Sequence, residues 1–183
     1  MEATEILMSE HRVVEGFLHT LEAGADRLKR GQTIRPAFFI EAAQFSKGFT
    51  DGCHHRKEEG VLFKAMVQNG MPDSSGPIAI MLAEHEQGRQ LTKAMRQAAA
   101  EMETGDSSAA QKVIDNADAY IALLRQHIQK EDRILFPLAD RVIPVADQQE
   151  VTTDFDTVEK EETGEGIHEK YLALAAALQR EVG

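Results

Sequence analysis

Four histidines and two glutamates stand at spacings that could gather metal ions. His54 and Glu58 are four residues apart, and so are His127 and Glu131. On a helix, positions i and i+4 share a face about one turn apart, so each pair can present an imidazole nitrogen and a carboxylate to one point. His11 and His85 each add one imidazole from other segments. A carboxylate can bridge two cations, and imidazole with bridging carboxylate and open positions left over suits non-haem iron. One ion could not easily use six ligands spread over four helices. Two ions sharing Glu58 and Glu131 could. The expected metal set is therefore His11, His54, Glu58, His85, His127 and Glu131, around two iron ions.

A single His-x-x-x-Glu pair is commonly no more than a hydrogen-bonded surface pair. Repetition is what gives weight to these. The run His54-His55-Arg56-Lys57-Glu58-Glu59-Gly60-Val61-Leu62-Phe63 aligns without gaps on His127-Ile128-Gln129-Lys130-Glu131-Asp132-Arg133-Ile134-Leu135-Phe136 at an offset of 73. Glu10-His11 and Glu84-His85 match at an offset of 74. The chain thus reads as two copies of one helical hairpin, whose pairs and single histidines must meet near a pseudo-two-fold axis. Burying four imidazoles and two carboxylates there without a cation would be very costly.

Helices must position these groups, and helical periodicity dominates the chain. Apolar Ile6, Val13, Val14, Phe17, Leu18, Leu21 and Leu28 mark a first helix over about residues 3–30. Gly31 stops it, and Pro36 suits the first turn of a second helix running to about residue 69. A Gly- and Pro-rich loop over residues 70–77 precedes a third helix over about 78–103. Asp106 or Ser107 could cap a fourth helix to about residue 140. The expected fold is all-α: an antiparallel four-helix bundle over residues 1–143 with a helical extension, 144–183, packed on it and interrupted near Gly164-Glu165-Gly166.

Other residues are read more plainly. His55 and Glu59 repeat the four-residue spacing but are turned about 100° around the helix, and Ile128 and Asp132 do not preserve it, so they are expected to flank the site. Glu15 aligns with Gly88 and His19 has no counterpart, so neither is expected to bind metal. His168 in the tail is a candidate additional ligand. Glu10 and Glu84 could orient imidazoles, as metal-bound histidines require. Cys53 reads as a small buried hydrophobe or a redox thiol. Gly48 and Gly52 in mid-helix suggest close helix approach or a small-molecule channel. Tyr120 is either core or a hydrogen-bonding neighbour of the site.

Composition narrows the partners. The formal net charge is -11, which disfavours nucleic acid and anionic membrane surfaces. No apolar run approaches a membrane span, and the first residues lack a signal-peptide pattern. A single cysteine permits no intrachain disulfide, which fits a cytoplasmic location. An unidentified protein partner or a homodimer is left open.

In combination these motifs resemble the hemerythrin-like family of HHE cation-binding domains. The carriers are Glu10-His11, the run from Cys53 to Glu59 with Leu62-Phe63, Glu84-His85 with Gly88-Arg89, and the run from His127 to Asp132 with Leu135-Phe136-Pro137. The resemblance implies a non-haem di-iron site, oxo- or hydroxo-bridged, with His11, His54, His85 and His127 as terminal ligands and Glu58 and Glu131 as bridges. Oxygen-carrying members place two histidines four residues apart on the third helix. Here Arg89 stands four residues after His85 and Met81 four before it, so an imidazole is missing, leaving an open position or a substitute such as His168 or Glu84. That departure points away from pure reversible oxygen carriage. It points toward binding or reaction with a small oxidant (O2, NO or H2O2) in oxidative or nitrosative stress, with peroxide- or NO-handling oxidoreductase activity left open. The alternative is an iron storage, delivery or sensing module without turnover.

Overall fold

In a computed structural model of the protein the described residues are 1–106, 108–164 and 166–183, with the backbone alone for 161–163. Ser107, one of the two candidate caps, and Glu165, within the expected break of the tail, lie outside the described residues. Among the described residues there are six helical rods and no strand. These are α1 (Glu2–Lys29), α2 (36–68), α3 (Gly76–Glu103), α4 (109–142), α5 (145–163) and α6 (Ile167–Val182).

The helices begin and end where local chemistry dictates. Pro36 opens α2 at a position where a missing N–H costs nothing. Gly70 (φ 96°) and Gly105 (φ 97°) supply the left-handed residues that close α2 and α3. Asp106 accepts hydrogen bonds from the backbone N–H and the hydroxyl of Ser108, bending the chain into α4.

Cross-helix pairs fix an antiparallel order. His11 meets Asp132, Glu22 meets Arg125 and Lys29 meets Asp118, so α1 and α4 run in opposite directions. Glu10 meets His54, and Gly24 lies under the Phe38 ring, which sets α1 against α2. Glu59 meets His85 and Asp51 meets Arg89, pairing α2 with α3. His85 meets His127 and Glu101 meets Lys112, pairing α3 with α4. The four-helix bundle expected from the sequence is the observed fold.

Two apolar cores sandwich a polar layer. One holds Val14, Phe17, Leu18, Phe38, Phe45, Phe49, Met95 and Leu124; the other holds Leu7, Leu62, Phe63, Ile78, Leu135, Phe136 and Phe155. On α1, Leu7 belongs to one core and Val14 to the other, with His11 midway. The extension contributes to both. Val151 and Phe155 of α5 enter the second core, while Leu178 and Tyr171 of α6 pack on the first.

Neither α2 nor α4 is a regular α-helix. Residues Ser46–His55 and Glu58–Leu62 of α2, and Glu131–Leu135 of α4, are wound as wider π-helical turns. The turns at Glu58 and Glu131 are again 73 residues apart, so the sequence repeat is a repeat of backbone as well. Such turns often mark functional sites, because each inserted residue shifts the faces of the helix that follow.

Candidate metal centre

The polar layer contains seven buried donors. His11, His54, His55, His85, His127, Glu58 and Glu131 are each at most 3% exposed. Their donor atoms form two groups, each within 4.8 Å across: His55, Glu58, His85 and His127 in one, and His11, His54, Glu58 and Glu131 in the other. Glu58 belongs to both. All six residues expected from the sequence are brought together.

The seventh, His55, corrects the sequence reading, which placed it at the flank. Its ring stacks on His85 with centroids 3.7 Å apart and planes 12° apart, and its Nε2 faces inward. The reason is the π-wound stretch ending at His55: with more residues per turn than an α-helix, the rotation between neighbours falls below 100° and both His54 and His55 reach the interior. The adjacent histidines were the available signal; a straight-helix projection concealed it. His55 thus stands close to where the third helix lacks its second histidine. His168 does not join either group; its ring lies 5.2 Å from that of Phe49. Glu84 lies outside them too, against His127 and Lys130.

Every one of the five imidazoles has a carboxylate at its outer nitrogen. Nδ1 lies 2.6 Å from Asp132 for His11, 2.9 Å from Glu10 for His54 and 2.9 Å from Asp51 for His55. The same nitrogen lies 2.7 Å from Glu59 for His85 and 2.9 Å from Glu84 for His127. An ionised carboxylate only accepts, so each Nδ1 carries a proton, which leaves Nε2 as the nitrogen that a metal would take. Cations hold the carboxylates in turn. Lys57, itself 1% exposed, reaches Glu10 at 2.5 Å and Glu159 of α5 at 2.9 Å. Lys130 pairs with Glu84, Arg12 with Asp132, and Arg89 with Glu59.

The inner carboxylates point different oxygens at different histidines. Glu131 lies 3.2 Å from His11 through Oε2 and 3.2 Å from His127 through Oε1. Glu58 lies 3.5 Å from His54 through Oε1 and 3.4 Å from His85 through Oε2. All four of these oxygens, with Nε2 of His11, His54 and His55, are buried with no hydrogen-bond partner among the described residues. Nε2 of His85 and His127 face each other at 3.1 Å. Orphaned buried acceptors of this number are costly in any protein, and a set of imidazoles and carboxylates converging on one point is what a cation satisfies.

Electrostatics agree. Burial and the charge of Glu131 push Glu58 well above the ordinary carboxylate range. Burial acts on Glu131 in the same sense, but His127 and His11 outweigh it and hold it low. Without a cation the pair cannot comfortably carry two negative charges. Burial pushes His54 down to about 4, and His55 well below its usual value, which favours the neutral form that binds metal. At His11 and His127 the neighbouring carboxylates outweigh burial and raise the imidazole to about 9, a proton that a bound cation would displace.

Other sequence readings resolve simply. Cys53 is buried. His19 is exposed beside Arg125. Tyr120 is a buried core residue over Gly88. A Cβ on Gly48 would fall 1.7 Å from Tyr171 Cζ, so that glycine admits the ring of α6.

A four-helix bundle with a buried layer of histidines and carboxylates defines the class of helical cation-binding domains. Residues 2–139 match the hemerythrin HHE cation-binding domain family, and the chain belongs to it. It is 25% identical over 182 residues to uncharacterised proteins of Mycobacterium bovis and Mycobacterium tuberculosis, spanning 99% of this chain and 70% of each of theirs. No solved structure gives a significant match. No helix among the described residues is long and apolar enough to cross a membrane.

Proposed function

We propose that the chain holds two iron ions and binds or reacts with a small oxidant such as O2, NO or H2O2, in the handling of oxidative or nitrosative stress in the cytoplasm. The carrying observation is the sharing of Glu58 between two donor groups, with the two oxygens of Glu58 and of Glu131 directed at histidines from both halves. Bridging carboxylates, with His11, His54, His85 and His127 as terminal ligands, account for six donors, and His55 supplies the imidazole that Arg89 does not. Bound iron would supply an open coordination position and reversible electron exchange. The protein's part is positional. Outer carboxylates fix each imidazole's tautomer and orientation, and the two apolar cores exclude bulk water. The same reading takes residues 1–143 as the cation-holding bundle and 144–183 as an added cover. The family match ending at residue 139 and the contact of Glu159 with Lys57 support that division.

Metal analysis of protein expressed with iron, together with its optical spectrum, tests the reading. Two irons per chain and near-ultraviolet bands that change on adding azide or peroxide are expected. Iron that leaves on reduction, with no peroxide consumed, would favour the storage or delivery alternative. A colourless protein free of iron would defeat both.

A further inference from the structure

The chain carries 31 acidic residues against 20 lysines and arginines, yet five of those twenty line one open cavity of about 900 Å³ between α2 and α3. They are Lys47 and Arg56 from α2 and Arg89, Lys93 and Arg96 from α3. Among the described residues the only acids lining it are Asp51 and Glu59. Both are engaged already: Asp51 holds His55 and lies 3.5 Å from Arg89, and Glu59 holds His85 and lies 2.5 Å from Arg89.

Three of these cations have no compensating charge among the described residues. Lys47, Lys93 and Arg96 are exposed, and among the described residues none of the three has a carboxylate in ion-pair reach. Arg89, Lys93 and Arg96 stand at i, i+4 and i+7 on one face of α3, a spacing at which like charges weaken a helix. A surface of strongly negative sign elsewhere gives this cleft no reason to be positive on general grounds of solubility. Its volume falls in the range of small-molecule sites, and guanidinium and ammonium groups together are the usual means of holding phosphate or carboxylate.

We propose that this cleft binds a small polyanion bearing two or more phosphate or carboxylate groups, held by Lys47, Lys93 and Arg96 with Arg89 at its inner end. The occupant would lie against Asp51 and Glu59, one hydrogen bond away from His55 and His85. The site is separate from the metal donors and does not depend on which metal they hold.

Calorimetric titration of the purified protein at low ionic strength, with inorganic pyrophosphate and in parallel with citrate, tests it. Metal content is measured before and after, because both probes also chelate. Saturable one-to-one binding of at least one probe is expected, weakening with salt. Preference for pyrophosphate assigns the site to a phosphate-bearing molecule, and preference for citrate to a polycarboxylate. The pair Lys93→Glu with Arg96→Glu should weaken binding about tenfold or more. The charge-matched pair Arg133→Glu with Arg141→Glu, both exposed on α4 and outside the lining of the cleft, should leave it unchanged. Absence of saturable binding at millimolar probe overturns the proposal. So does equal loss in both charge-reversed pairs, or binding that tracks metal loss rather than the cleft substitutions.

Discussion

The two halves of the bundle are nearly superimposable in their chemistry, and they part at one place. His54 corresponds to His127, Glu58 to Glu131, Lys57 to Lys130 and Glu59 to Asp132; the outer partners Glu10 and Glu84 correspond as well. At the positions of His55 and Asp51, however, the second half has Ile128 and Leu124, both buried in the apolar core. The first half is π-wound over Ser46–His55, where the second is ordinary α-helix. The duplicated unit therefore provides a symmetric six-donor layer, and one local change of helix winding adds a seventh donor on one side. That side also carries the basic cleft, and its lysine is the one covered by the extension. Symmetry serves the holding of cations, and the departure from it makes one side chemically distinct.

The shared glutamates should dominate. Glu131→Gln should lose the bound metal, and with it the rise in melting temperature that loading gives the unaltered protein. A ligand at a thousand times its dissociation constant stabilises the folded state by about 4 kcal/mol. Thermal melts with and without added ferrous ion check this. Equal stabilisation of variant and parent would mean that the two halves do not share a centre.

Lys57 and Lys130 occupy equivalent positions in unequal surroundings. Lys57 is buried between Glu10 and Glu159, whereas the Lys130 side chain is 36% exposed. Removing one partner of a buried pair costs about 3–5 kcal/mol, and an exposed pair is worth about 0–1 kcal/mol. Lys57→Met should therefore destabilise far more than Lys130→Met in chemical denaturation. Similar losses would show that the extension does not shield its side of the layer.

His55→Ile makes the first half resemble the second. If His55 is a ligand, affinity for metal should fall about 10–100-fold, or about 1.4–2.7 kcal/mol, while His168→Ala leaves it unchanged. Competition with a chelator measures both. The reverse ranking would return His55 to the flank and make the tail histidine the added donor.

These residues also show what a sequence can disclose. The bundle was legible because apolar spacing and Gly/Pro punctuation act locally, and the six donors were legible because duplication displayed the same spacing twice. His55 was not, because its inward turn comes from non-α winding, a property of backbone hydrogen bonding that no residue type encodes. The full ring of outer carboxylates was half legible. Glu10 and Glu84 stand next to repeated histidines, but Asp51 and Asp132 gain their partners only when helices pack. The basic cleft was invisible for the same reason, since its cations come from two helices in a chain whose net charge is strongly negative.

The smallest expected effect concerns a position where the second half has already performed the experiment. Gly60 lies in the π-wound turn after Glu58, and its counterpart in the equivalent turn is Arg133. A Cβ at Gly60 would meet nothing within 4 Å, and Arg133 shows that this backbone accepts a side chain. Glycine inside a helix costs roughly 0.5–1 kcal/mol relative to alanine. Gly60→Ala should accordingly raise the denaturation free energy by about that amount without altering metal content. Gly48→Ala in the same helix should instead destabilise, because Tyr171 must give way. A loss of stability at Gly60 would mean that the two π turns, though 73 residues apart and alike in length, differ in the backbone freedom they need.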